Sequence, residues 1–144
     1  MNTQEFLSLI KSRGATLFPA APNKDVPLLN ASLQKHRLAM LPSFLSDLYQ
    51  HVSCINLGNG YIFGPTETNR TGTPPVPGIL QVNMEISPLG LTPNKTIFGR
   101  NDLFWFAYDT FGTCYMLDNL TLRPLRKYQD PYRAITDCLI AGKF

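Results

Sequence analysis

A chain of 144 residues with 44% hydrophobic and 16% charged side chains can bury roughly 70% of the surface its unfolded form exposes, and is too apolar to stay disordered. Its formal charge of +3 comes from 13 Lys/Arg against 10 Asp/Glu, spread as six against four over residues 1–72 and seven against six over the remainder. No basic block of the kind that marks a nucleic-acid-binding element results. No run of about 18 apolar residues offers to cross a bilayer, and Met1-Asn2-Thr3-Gln4-Glu5 lacks the basic opening of a secretory signal, so the expected location is cytoplasmic, without membrane association.

Asn2 followed by Glu5 forms a capping box, and Phe6, Leu7 and Ile10 then share one helical face until Gly14 supplies a stop, which predicts a helix over residues 3–13. Three prolines and Asn23-Lys24-Asp25 make Phe18 to Pro27 a loop, with Leu29 and Leu33 marking a weaker helical turn or two beyond it. Leu41-Pro42-Ser43 opens a clearer helix: Ser43 is placed to cap it, Phe44, Leu45, Leu48, Tyr49 and Val52 form its apolar face, and its end is expected near Ser53. Gly58-Asn59-Gly60 is a turn signal, leading to a short strand Tyr61-Ile62-Phe63 closed by Gly64-Pro65.

Residues 65–93 hold six of the twelve prolines. A linker between two domains would leave each half, at about 70 residues, with a poor core. Pro77 can instead start a helix bearing Ile79, Leu80, Val82, Met84 and Ile86, which makes Pro74-Pro75 part of a long surface loop within one domain, residues 1–144. Leu103 to Tyr108 is apolar on both alternating faces, which predicts a strand covered on both sides. Asp109-Thr110-Phe111-Gly112 turns it back into Thr113 to Asp118. Arg123, Arg126 and Lys127 read as a solvated loop. Asp130 as cap and Pro131 at the first helical position then open a final helix with Tyr132, Ile135, Cys138 and Leu139 as its buried stripe and Gly142 as its stop. Helices, then strands, then a closing helix predict an α+β domain with helices packed around a mostly antiparallel sheet.

Little in the chain points to catalysis. Cys54, Cys114 and Cys138 are widely spaced among apolar neighbours and read as reduced core residues. His51 and Cys54 lie three apart, yet no further paired ligands complete a zinc set, and no cysteine sits at a helix start or glycine-rich elbow that would lower its pKa. Paired carboxylates among Glu67, Glu85, Asp102, Asp109, Asp118 and Asp130 would have to be assembled by the fold, and the last three already fit turn, strand-end and cap roles. Gly58-Asn59-Gly60 lacks the Lys-Ser/Thr ending of a phosphate loop. Phe104, Trp105, Phe106 and Tyr108 could stack bases, but no Lys or Arg falls between residues 101 and 122, so a core strand is expected. The expectation is a protein without enzymatic activity, cofactor or metal, and without nucleic-acid binding.

Three segments together resemble the SUKH superfamily, which includes a fungal cell-wall-synthesis regulator and many small bacterial immunity proteins. They are Leu41-Pro42-Ser43-Phe44-Leu45-Ser46-Asp47-Leu48-Tyr49, Gly60-Tyr61-Ile62-Phe63-Gly64, and Ile97-Phe98-Gly99-Arg100 through Asp118 with the helix from Tyr128 to Leu139. The likeness spans most of residues 40–140 and is nearest to short enterobacterial members of the YrhA type; the proline-rich residues 65–93 depart from the common pattern. It implies an α+β fold, no catalytic motif, and a protein partner, typically a toxin from a neighbouring cell that is bound and blocked. Immunity proteins against nucleases are often acidic, whereas this chain is net positive. Either the toxin is not a basic nuclease, or a local acidic patch binds it, or this chain is not an immunity protein. Charged loop residues on a rigid scaffold are the natural contacts, here Glu67, Arg70, Asp102 and Asp109. The alternative is an interaction scaffold or a small-ligand-binding regulatory domain with the hairpin aromatics lining a pocket. Oligomeric state is open.

Overall fold

A computed structural model describes residues 2–90 and 94–140. The first helix, α1 (Thr3–Ser12), is capped as its sequence predicts, with Asn2 Oδ1 accepting from the Glu5 backbone N–H at 2.8 Å. Strand β1 (Thr16–Pro19) follows, then α2 (Asp25–Lys35) and α3 (Ser43–Tyr49). Two expectations need correction here. The segment read as loop holds the end of β1 and the start of an 11-residue helix, since Pro27 falls in the first turn of α2, where its missing N–H costs nothing. The helix expected to reach Ser53 stops at Tyr49, is preceded by Pro42 and has no side-chain cap from Ser43. The β-branched and apolar run that follows forms β2 (Val52–Leu57) instead.

A two-residue turn at Gly58-Asn59 joins β2 to β3 (Gly60–Ile62). The surface loop expected around Pro74-Pro75 is instead a ribbon, in which β4 (Thr68–Arg70) pairs with β5 (Thr73–Val76), and the helix expected after Pro77 is α4 (Ile79–Ile86), ending in a short 3-10 turn at Ser87–Leu89. Val76, Ile79 and Val82 from this insertion are buried in the main core. Strands β6 (Lys95–Arg100), β7 (Phe104–Asp109), β8 (Cys114–Asp118) and β9 (Pro124–Tyr128) then meander back before α5 (Pro131–Ile140). Asp130 Oδ1 accepts from Tyr132 N at 3.0 Å, the cap expected of it; the stop expected at Gly142 lies outside the described residues. The basic cluster read as a solvated loop is largely strand, with Arg126 and Lys127 on β9 and Arg126 ion-paired to Asp137 of α5 at 2.8 Å.

The result is an α+β fold built on a seven-stranded antiparallel sheet in the order β1-β2-β3-β6-β7-β8-β9, with the β4-β5 ribbon beside it. Its outer strands are both irregular. β1 ends at Pro19 with a register shift at Phe18/Pro19, and β9 begins at Pro124 opposite a shift at Met116/Leu117. Helix α5 lies across one sheet face and approaches it unusually closely. A Cβ at Gly60 would fall 2.7 Å from the Cys138 carbonyl oxygen, and one at Gly99 would fall 3.2 Å from Cys138 Sγ. These two glycines therefore let the helix backbone sit on the sheet.

Where β3 ends, β6 loses its strand neighbour, and Asn83 of α4 takes its place. Its amide accepts from Ile97 N and donates to Ile97 O, each at 2.8 Å, and also donates to Ile79 O at 2.8 Å. A second buried anchor is Asp137, which accepts from Tyr128 Oη at 2.8 Å while pairing with Arg126 and Arg133. Ala39, after α2, is held to the sheet by its carbonyl, which accepts from Thr96 Oγ1 and Tyr108 Oη, both at 3.0 Å.

Candidate functional site

Because side chains alternate across a strand, fixing Gly60 and Gly99 against α5 sends Tyr61 and Arg100 to the opposite face of the sheet. Register places Tyr61 directly opposite Arg100, and Arg100 directly opposite Trp105. Three adjacent strands thus carry a row of aromatic, cation, aromatic, roughly 10 Å long at about 4.8 Å per strand. The Arg100 guanidinium lies 4.8 Å from the Trp105 ring centroid, and Arg70, reaching in from the ribbon, lies 5.4 Å from that of Tyr61.

The row floors a groove of about 530 Å³ whose walls come from the ribbon and α4, including Pro75, Val82, Glu85 and Ile86. Arg70 is locked in place: Nε and Nη2 donate to Pro74 O at 3.1 and 2.8 Å, and Nη1 donates to Tyr61 Oη at 3.3 Å. At the rim, Asn59 Nδ2 donates to Asp102 Oδ2 at 2.6 Å, tying the β2-β3 turn to the β6-β7 turn. The latter turn is organised by buried Asn101, whose Oδ1 accepts from Leu103 N and Phe104 N and whose Nδ2 donates to Cys138 O. These bonds fix Arg70 and the two turns that flank the floor.

Of the four charged residues singled out from sequence, Arg70 and Asp102 meet in this groove. Glu67 is exposed in the loop ahead of β4 and does not line it. Asp109 closes β7, seven residues and roughly 20 Å from Asp102. Its carboxylate accepts from Phe111 N and Thr113 N through Oδ1 and from Tyr115 Oη through Oδ2. Partial burial alone would raise its pKa, but these donors and nearby Lys95 hold it below the usual carboxylate range. Asp109 is a turn builder. Sequence reasoning missed Arg100, Trp105 and Tyr61 as a unit because the cation is next to the aromatics across strands and not along the chain. The strand expected to be covered on both faces is half-exposed at Trp105, where the groove opens.

A larger recess, about 680 Å³, lies at the other end of β7 between Leu38, Met40, Pro42 and Phe111. Arg37 is the one charged residue among the described residues that line it, and none of the candidate residues is among them. The thiols are unsuited to nucleophilic work, since burial pushes Cys54 up to about 11, Cys114 up to about 12 and Cys138 higher still. His51 is exposed while Cys54 is buried. Among the described residues no three His, Cys, Asp or Glu side chains lie together as a metal set, and no helix is long and apolar enough to cross a membrane.

Fold and groove together define an α+β protein with a preformed, side-chain-lined cleft on the sheet face opposite α5. Comparison with known protein families, curated proteins and solved structures finds no match.

Proposed function

We propose that this chain is a protein-binding module of the immunity type, which blocks a toxin by seating part of it on the Tyr61–Arg100–Trp105 groove. The observation that carries the reading is the convergence of two aromatics and two arginines in one concave site. Tyr, Trp and Arg dominate binding energy at protein interfaces when they sit centrally in a preorganised surface. The resemblance to SUKH proteins supports the reading through the protein partner that it implies.

The test is coexpression with the toxin-like product of a neighbouring gene. Rescue of growth and copurification are expected, and both should be lost in Trp105→Ala and Arg100→Glu proteins that keep the parent's melting temperature within about 3 °C. Rescue that persists in both variants refutes the groove as the contact. A small-ligand regulatory domain is the second reading, favoured by a groove volume of about 530 Å³, within the range of about 300–1,000 Å³ common to ligand sites. A concentration-dependent rise in melting temperature with a small molecule would select it.

A further inference from the structure

The donors in the groove are unequally engaged, and the imbalance identifies what the groove takes. Arg70 spends Nε, Nη1 and Nη2 on Pro74 O and Tyr61 Oη. Because Tyr61 Oη accepts that bond, its own proton is left to donate into the groove. Arg100 is stacked on Trp105, yet among the described residues its guanidinium makes no hydrogen bond and no ion pair; the ion pairs found there all converge on Asp137. A planar fork of five N–H donors, placed over an indole and lining a groove, suits bidentate contact with a carboxylate.

The acids nearby sharpen the choice. Asp102 is engaged by Asn59, and exposed Glu85 stands on the α4 wall. Asp102 and Glu85 offset part of the positive charge of Arg70 and Arg100, which suits a singly charged carboxylate on Arg100 better than a phosphate dianion or a nucleic-acid backbone. Val82, Ile86 and Pro75 line the same space and suit an apolar neighbour of that carboxylate. The net charge of +3 adds a long-range attraction of the same sign preference.

Resting on the protein-binding reading above, we propose that the partner segment seated in the groove is acidic, with a carboxylate bound by Arg100 and Tyr61 Oη and an apolar side chain against Val82 and Ile86. The partner is then not met through a basic cleft.

The experiment is an amide and indole NMR titration of the ¹⁵N-labelled full chain with three probes. These are an eight-residue peptide alternating Glu and Leu, the same peptide with Lys for Glu, and oligothymidylate. The Glu peptide should shift the Trp105 indole N–H and the Tyr61 and Arg100 amides, more weakly as salt rises. Its affinity should fall at least tenfold in Arg100→Gln and severalfold in Tyr61→Phe, and should be unchanged in Lys11→Gln on α1. Equal shifts with the Lys peptide, shifts with oligothymidylate alone, or no shifts at millimolar Glu peptide would overturn the proposal.

The two readings fail separately. Toxin capture that survives Arg100→Gln leaves the protein-binding function standing and removes carboxylate recognition. Arg100-dependent binding of the Glu peptide without rescue in coexpression does the reverse.

Discussion

Replacing Asn83 by Ala deletes three hydrogen bonds at once, those to Ile97 N, Ile97 O and Ile79 O. The site is 2% exposed, so water cannot substitute without opening the junction between α4 and β6. Leaving the Ile97 N–H and C=O unpaired costs about 1–3 kcal/mol each, for a total of about 3–5 kcal/mol. At about 2.1 cal/mol/K per residue the unfolding entropy of a chain this long makes 1 kcal/mol worth about 3 °C, so Asn83→Ala should melt about 10–15 °C lower by calorimetry. Asn83→Asp separates hydrogen bonding from shape. At neutral pH its carboxylate faces Ile97 O in a buried site that raises the acid's pKa. The penalty is full above that raised folded pKa and shrinks as pH falls through it, because the protonated acid can donate again. Asn83→Asp should therefore gain on Asn83→Ala as pH is lowered. A drop of less than about 3 °C for Asn83→Ala, or a pH-independent gap between the two variants, would refute this account of how the insertion is held.

Other expectations follow from contacts already described. Gly60→Ala sets a methyl 2.7 Å from the Cys138 carbonyl and 2.9 Å from Leu139 Cα, so α5 must move, at a cost of about 1–3 kcal/mol, read as a lower urea midpoint. Asp109→Asn tests the depressed carboxyl: the stability it removes should be fully apparent above the unfolded pKa of about 3.9 and vanish as pH falls through the lower folded value. Asp137→Ala strands the buried Tyr128 hydroxyl and frees β9 from α5, and should cost about 1–3 kcal/mol in chemical denaturation. The three cysteines, free and buried, should resist a thiol-reactive disulfide at pH 8 and all react in urea; rapid native reaction of any would contradict their burial.

The α+β class, α1 with its Asn2 cap, the Gly58-Asn59 turn, the β7-β8 hairpin and the Asp130-Pro131 helix start were all legible in the sequence, because each rests on local periodicity or turn chemistry. Strands β1, β2, β4, β5 and β9 were not. Each has six residues or fewer and several carry proline or charge, so what makes them strands is a partner distant in sequence. The same limit hid the groove. No Lys or Arg falls between residues 101 and 122 along the chain, while Arg100 sits opposite Trp105 across the β6-β7 register. Asn83 and Asp137 gave no local signal, since each acts on a backbone or side chain in another element.

The irregular ends of the sheet carry a consequence for recognition. Strand addition at an edge reads backbone and tolerates almost any sequence in the guest, but it needs a regular row of free N–H and C=O groups. Pro19 and Pro124 each remove a donor, and the register shifts beside them break the repeat. Both outer strands therefore offer an added strand few regular partners, whereas the side-chain-lined groove can change its surface by substitutions at a few positions while the sheet and its helices stay as they are.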